Sequence, residues 1–296
     1  MERGGVDQLL VAGAVARPRG RTRVGSRGRA MMSREQTVAV WQGGVRIHVP
    51  SAGAGPALLF LHGPWGLAWD PFLDDLARTF TVYAPEHPGT TPQAHDDIYR
   101  LDGLWDLILC YDELLTALNI EEAAVVGHSF GGMVACELAA AYPRRVRRLV
   151  LIDPIGFWRE GDPIVNWVKL NPADLPAYVF RDPTAEAARR LLGPSEPPEA
   201  AIAARVRLIW AMGATSKFIW PIPDKGLKKR IHRVRAPALV IWGADDRLVP
   251  PVYAEEFSRR LAGARVHIVG DAGHAPHVEH PAAVARLVRD FLTAAP

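Results

Sequence analysis

Gly127-His128-Ser129-Phe130-Gly131 is the stretch whose reading decides the fold. It follows the apolar run Ala123-Ala124-Val125-Val126 and leads into Gly132 to Ala141 (GMVACELAAA). A G-x-S-x-G pattern therefore lies between a strand-like and a helix-like segment. The five letters alone occur by chance in Gly-rich chains, and the flanks give them meaning. A serine placed there stands on a sharp turn with its hydroxyl presented, and glycines two positions either side let strand and helix approach closely. Ser129 is the candidate nucleophile.

Outward from this turn, apolar runs of strand length recur at Ala57 to Leu61, Thr81 to Ala84, Leu149 to Ile152, Ala238 to Trp242 and Val266 to Val269. Most are separated by helix-length segments, of which Trp69 to Arg78, Asp102 to Leu118, Pro251 to Leu261 and Pro281 to Leu292 are the clearest. Strands apolar on both faces that alternate with helices predict an α/β fold, a mostly parallel sheet covered by helices on each side. Alternating patterns at Thr37 to Trp41 and Val45 to Val49 around Gln42-Gly43-Gly44 predict an opening hairpin.

The 296 residues suffice for a full-sized core, and 49% hydrophobic with 23% charged residues is the balance of a soluble globular chain. The net charge of +3 is uneven: seven arginines against two acids before Met31 give +5, and the remainder carries −2. The folded part thus has no charge argument for nucleic-acid binding. Residues 1–33 lack periodicity and predict a disordered basic extension, with a transit peptide as the rival reading. No run approaches membrane-spanning length, so no membrane partner is expected. Cys110 and Cys136 both lie in apolar helix-like segments and predict reduced, buried thiols, which fits a cytoplasmic location.

Between Pro154 and His232 the strand rhythm stops, and ten prolines intervene. This predicts an inserted, mainly helical cap over 154–232, dividing a core of 34–153 and 233–296. Trp158, Trp167, Trp210 and Trp220 fall within it; they serve either as the subdomain's own core or, with Trp65 and His128, as the lining of an apolar substrate pocket.

The chain resembles α/β-hydrolase-fold enzymes from about Val45 to the C-terminus. That family carries its triad in the order Ser, acid, His. The resemblance implies Ser129 first, then Asp246 in Trp242-Gly243-Ala244-Asp245-Asp246-Arg247-Leu248-Val249-Pro250, and last His274 in Gly270-Asp271-Ala272-Gly273-His274. The chemistry asks for these types: a serine hydroxyl attacks a carbonyl when an imidazole accepts its proton, and an aspartate orients the ring and stabilises the imidazolium. Asp245 and Asp153 remain rivals for the acid; His267, His277, His280 and His128 remain rivals for the base. A metal reading of His274, His277 and His280 has no cysteine or carboxylate cluster beside it. Neither a metal nor an organic cofactor is expected, since a serine mechanism requires none.

Two loops depart from the family. The resemblance places one oxyanion donor at the backbone N–H of Phe130 and the second in Leu61-His62-Gly63-Pro64-Trp65-Gly66, at position 64, where proline has no N–H. The expectation is that Trp65, or else Gly66, supplies the amide, and that the Trp65 indole walls the acyl pocket. Ala84-Pro85-Glu86-His87-Pro88-Gly89-Thr90-Thr91-Pro92, where relatives carry an aspartate and a Gly-x-Gly turn, is expected to be structural.

A serine nucleophile excludes epoxide opening and halide displacement, for which the family uses aspartate. The expected function is hydrolysis of a small-molecule carboxylic ester of small to medium apolar acyl group. Thioester hydrolysis and carbon–carbon cleavage of a diketone-like ring-opening product are the alternatives, and a ligand-binding protein without turnover is the non-enzyme reading. The basic run Lys225, Lys228, Lys229, Arg230, Arg233 and Arg235 either attracts an anionic substrate or forms a solvated loop. Self-association into a homo-oligomer is left open.

Overall fold

The computed structural model describes residues 34–192 and 198–295; the predicted extension over 1–33 lies outside them. Eight strands, β1 (Arg34–Val40), β2 (Val45–Ala52), β3 (Ala57–Leu61), β4 (Thr81–Tyr83), β5 (Ala123–His128), β6 (Val146–Ile152), β7 (Ala238–Gly243) and β8 (Arg265–Val269), form one sheet in the order β1-β2-β4-β3-β5-β6-β7-β8. β1 and β2 make the expected antiparallel hairpin, β2 meets β4 antiparallel, and every later pairing is parallel.

The central strands show why the chain folds this way. Side chains of a strand alternate between faces. Leu59 and Leu61, Ala123 and Val125, Leu149 and Leu151, and Val240 and Trp242 join one buried cluster, while Leu58 and Phe60, Ala124 and Val126, Val150 and Ile152, and Leu239 and Ile241 join the other. Both faces are therefore covered. Of the helices α1 (Pro71–Leu76), α2 (Leu104–Ala117), α3 (Phe130–Ala141), α4 (Leu175–Val179), α5 (Glu186–Leu192), α6 (Pro198–Lys217), α7 (Val252–Arg260), α8 (Pro276–Glu279) and α9 (Pro281–Thr293), α2, α3 and α7 pack on the first face and α1 and α9 on the second. β8 departs from the expectation of two buried faces: Val266 and Ile268 are exposed, because β8 ends the sheet and pairs with β7 alone. Cys110 and Cys136 are buried and unpaired, as expected.

Between β6 and β7 the chain leaves the sheet, and the described residues there carry α4, α5, α6 and short 3-10 turns. Glu137, an acidic residue inside the small-residue helix α3, is buried against this segment's end. Arg230 meets it in a bidentate pair at 2.7 and 2.6 Å. Arg233 donates to the Ala140 carbonyl, and Lys228 pairs with Asp224. These cations of the basic run are thus tied to protein partners. Among the described residues no helix is long and apolar enough to cross a membrane.

Candidate active site

Ser129 joins β5 to α3 at φ 54° and ψ −115°, a backbone region that L-residues rarely adopt. The flanking glycines are required by contact. A Cβ on Gly127 would lie 2.4 Å from the Gly131 carbonyl oxygen, and one on Gly131 would lie 2.1 Å from that of Leu61. The turn is held by Ser129 N–H donating to the Ile152 carbonyl at 2.9 Å and by the Ile155 N–H donating to the Ser129 carbonyl at 3.2 Å.

His274 Nε2 lies 2.8 Å from Ser129 Oγ, and His274 Nδ1 lies 2.7 Å from Asp246 Oδ2. Asp246 Oδ1 accepts the N–H groups of Leu248 and Val249 at 2.9 and 2.8 Å. The three residues come from the C-terminal ends of β5 and β7 and from the loop after β8, which share one edge of a parallel sheet. The loops after β7 and β8 touch through a glycine: a Cβ on Gly243 would lie 1.9 Å from the Gly273 carbonyl oxygen. Ser129 and His274 are 0% exposed and Asp246 5%, so the chain of hydrogen bonds sits where water does not screen it. From the segment between β6 and β7, Val179 accepts the His274 N–H at 2.7 Å, and Phe218 stacks on Phe130 at 6.2 Å.

The rival residues lie elsewhere or play another part. Asp245 turns outward to pair with Arg181. His267 is exposed on β8, and His280 bonds the Asp271 carbonyl. His277 is buried against Phe60 and Phe72, where burial pushes its imidazole down to about 3. His128 points past the nucleophile and donates from Nε2 to the His274 carbonyl at 2.8 Å. Asp153 is buried beside Asp246; its Oδ1 accepts the Gly243 N–H at 2.9 Å. Asp153, Asp246 and His274 bring one ligand-type atom each within 4.8 Å. His274 has Nδ1 engaged by Asp246 and Nε2 by Ser129, so it has no ring nitrogen left for an ion, and the trio reads as a hydrogen-bonded set and not as a metal centre.

The six expected pocket residues fall into separate places. Trp65 and His128 border His274, with ring centroids at 6.0 and 5.1 Å from it. Trp158, Trp167 and Trp220 line a cavity of about 270 Å³ together with Ile219 and Asn166. Trp210 is apart from both groups: its indole donates to the Gly89 carbonyl at 2.6 Å, and its ring faces His95. Among the described residues, neither the Phe130 amide nor the Trp65 amide is taken by a backbone hydrogen bond. The Trp65 indole N–H is buried without a partner.

Sequence reasoning missed the network beneath the loop of residues 62–66. His87 Nε2 donates to the His62 carbonyl at 2.8 Å, and the His87 amide donates to His62 Nε2 at 3.0 Å. His62 Nδ1 then carries the proton and donates to the Gly63 carbonyl at 2.7 Å. His87 Nδ1, left as acceptor, takes the Tyr111 hydroxyl at 2.5 Å. Every ring nitrogen is satisfied by a neutral imidazole. Burial pushes His62 down to about 4 and His87 well below the usual histidine range. The only signal was His87 standing in a Pro/Gly-rich loop, which by itself reads as punctuation.

Residues 58–287 match the profile of the alpha/beta hydrolase family. The chain is 32% identical over 275 residues to 2-hydroxymuconate semialdehyde hydrolase of Pseudomonas sp. (strain CF600), covering 85% of this chain and 92% of the relative. It is 31% identical over 278 residues to 2-hydroxy-6-oxononadienedioate/2-hydroxy-6-oxononatrienedioate hydrolase of Paraburkholderia phymatum, covering 86% and 94%. Among solved structures, a membrane phospholipase A described as a bacterial virulence factor superposes with a TM-score of 0.69 at 26% identity, covering 88% of this chain and 86% of that one. The protein belongs to the alpha/beta hydrolase family.

Proposed function

We propose that the protein is a serine hydrolase that cuts a carbon–carbon bond in a diketone-like product of aromatic ring opening. Ser129 attacks the carbonyl, His274 moves the protons and Asp246 holds His274. The observation that carries the nucleophile is the unbroken chain Ser129 Oγ to His274 Nε2 and His274 Nδ1 to Asp246 Oδ2, on a serine in a strained turn. The names of the relatives support this bond class. A semialdehyde or hydroxy-oxo-dienoate carries no ester, so its hydrolysis must break a carbon–carbon bond beside a carbonyl. The sequence alone favoured esters; these relatives reverse the order.

In this reading Ser129 Oγ bonds to the carbonyl carbon as its proton passes to His274, and the resulting oxyanion is met by the Phe130 and Trp65 amides. Collapse breaks the carbon–carbon bond. The electron pair leaves on a carbon stabilised as an enolate, which takes the proton from His274. Water, deprotonated by His274, then releases the acyl group from Ser129 as an acid. The segment 154–232 serves as the cap, and the cavity beside Trp158, Trp167 and Trp220 receives an apolar part of the substrate. Because Ser129 has no surface open to water, access requires the residues around it to move.

Ester hydrolysis by the same residues is the second reading, and one observation favours it. Three of the six cations that would attract a carboxylate-bearing dienoate, Arg230, Arg233 and Lys228, are held by Glu137, the Ala140 carbonyl and Asp224. A neutral ester needs no such cation. The two buried thiols favour a reducing cytoplasm for either activity.

The test begins with a fluorophosphonate, which is expected to label the wild type and not Ser129→Ala. Absence of label on folded protein would return the reading to ligand binding. Rates on a synthetic 2-hydroxy-6-oxo-dienoate and on p-nitrophenyl esters of graded acyl length then separate the classes. Turnover of the ester alone would displace the carbon–carbon reading.

A further inference from the structure

Asp153 follows the last residue of β6, is fully buried, and has a φ of 43°, in the left-handed region where Asp and Asn are the best-tolerated residues after glycine. Its Oδ1 accepts the Gly243 N–H at 2.9 Å; its Oδ2 is buried with no hydrogen-bond partner among the described residues. Asp246 beside it spends Oδ1 on two N–H groups and Oδ2 on His274 Nδ1. A carboxylate oxygen accepts two hydrogen bonds, so Asp246 Oδ2 has capacity left; an oxygen of Asp153 and one of Asp246 lie within 4.8 Å of each other, and a proton on Asp153 finds its acceptor in Asp246. Two carboxyl groups sharing one buried site do not both ionise. Asp246 has three donors and Asp153 one, so the charge resides on Asp246.

The geometry points to Asp153 as a neutral carboxylic acid that donates its proton to Asp246 and thereby acts as a positioning residue for the Asp246–His274 pair. This rests on the hydrolase reading of Ser129. Burial and the charge of Asp246 both hold the Asp153 carboxyl well above the usual carboxylate range. The other titratable groups facing the pair are Glu279, which accepts the Gly273 and Arg181 N–H groups, and His128 and His277 on the far side of His274. The donated proton takes up part of the negative charge on Asp246 and fixes the direction of its Oδ2. Without it Asp246 becomes a stronger partner for the imidazolium, and the acid limb of Ser129 reactivity moves to higher pH.

The test uses the full chain with Asp153→Asn and Asp153→Ala. Asn tolerates the left-handed backbone, keeps the acceptor for Gly243, and offers an N–H to Asp246 as the protonated acid does. Infrared difference spectra of wild type minus Asp153→Asn are expected to show the carbonyl band of a protonated carboxyl at neutral pH. The pH dependence of the fluorophosphonate labelling rate is expected to be unchanged in Asp153→Asn and to have its acid limb raised by about one pH unit in Asp153→Ala. The proposal is overturned by absence of the band, by an acid limb that falls about one unit in Asp153→Asn, as removal of an ionised carboxylate would cause, or by a wild-type profile in Asp153→Ala, which would mark a merely structural residue. Failure of the wild type to label would sink the hydrolase reading instead, while the infrared band still decides the state of Asp153.

Discussion

His274 and His87 are both fully buried histidines near the same serine turn, and both have each ring nitrogen bonded, yet their partners differ in kind. His274 lies between the Asp246 carboxyl and the Ser129 hydroxyl. His87 lies between the Tyr111 hydroxyl and the His62 carbonyl, with no carboxylate in reach of its bonds. A carboxylate partner stabilises an imidazolium, whereas the His62 carbonyl and the Tyr111 hydroxyl bring no counter-charge, and a charged His87 ring would leave the buried Tyr111 O–H without its acceptor. The first arrangement can take up and return a proton; the second locks a loop. Residue type and burial therefore do not assign the role, and the partner does.

The comparison makes its largest demand on rate. Ser129→Ala is expected to lower kcat by about 10⁶-fold, and Asp246→Asn by about 10⁴-fold, with folding retained in both. Steady-state rates on whichever substrate class is turned over, alongside thermal unfolding, check this. A loss under tenfold in Asp246→Asn would mean that His274 does not draw its function from that carboxylate.

The second demand is on stability against pH. His62 is held at about 4 and His277 at about 3, with His87 and His128 also lowered, mainly by burial. Their unfolded values stand near about 6.5, so below that pH the unfolded chain binds more protons than the folded one, and stability falls as pH falls. Each such histidine removes about 1.4 kcal/mol per pH unit across the window from about 6.5 down to its folded value. Urea unfolding at pH 7, 6 and 5 measures the slope. His277→Leu should flatten it, and an unchanged slope would show that His277 titrates normally in the fold.

The two histidine sets also mark how much the sequence disclosed. Strands such as Ala57–Leu61 were legible because a buried parallel strand writes itself as an apolar run. That Ser129, Asp246 and His274 meet was legible because each follows such a run, and the sheet brings the run ends together. The scaffold set was not legible: His62, His87 and Tyr111 lie in a loop, a loop and a helix, 25 and 24 residues apart in turn, and nothing in their spacing announces a hydrogen bond. Asp153 was visible only as a rival acid, because whether two carboxyls face each other depends on strand order. The four tryptophans of 154–232 were not separable by composition, which cannot tell Trp167, at the cavity, from Trp210, which bonds the Gly89 carbonyl.

A smaller effect separates scaffold from catalyst directly. Tyr111→Phe leaves His87 Nδ1 buried without a partner and should cost about 1 to 3 kcal/mol of stability. kcat is expected to change only a few-fold if the loop of residues 62–66 keeps its place. Denaturant midpoints paired with initial rates report both numbers. A rate loss near that of Asp246→Asn, with stability intact, would erase the distinction drawn above.

The smallest expected effect concerns the same loop from its other side. Pro64 stands where the family's second oxyanion donor is expected and has no N–H to give. The next residue, Trp65, has an amide outside any backbone hydrogen bond and an indole 6.0 Å from the His274 ring, edge to face. If the Trp65 amide is the donor, restoring an N–H at position 64 adds nothing, and Pro64→Ala should leave kcat within about threefold. One oxyanion donor is worth about a hundredfold to a thousandfold, so a rise of that size in Pro64→Ala would show a site that lacked its second donor. Trp65→Phe completes the pair: it keeps the amide and removes the unpartnered indole N–H, so a change in KM without a change in kcat would assign the indole to substrate contact and leave the amide to the oxyanion.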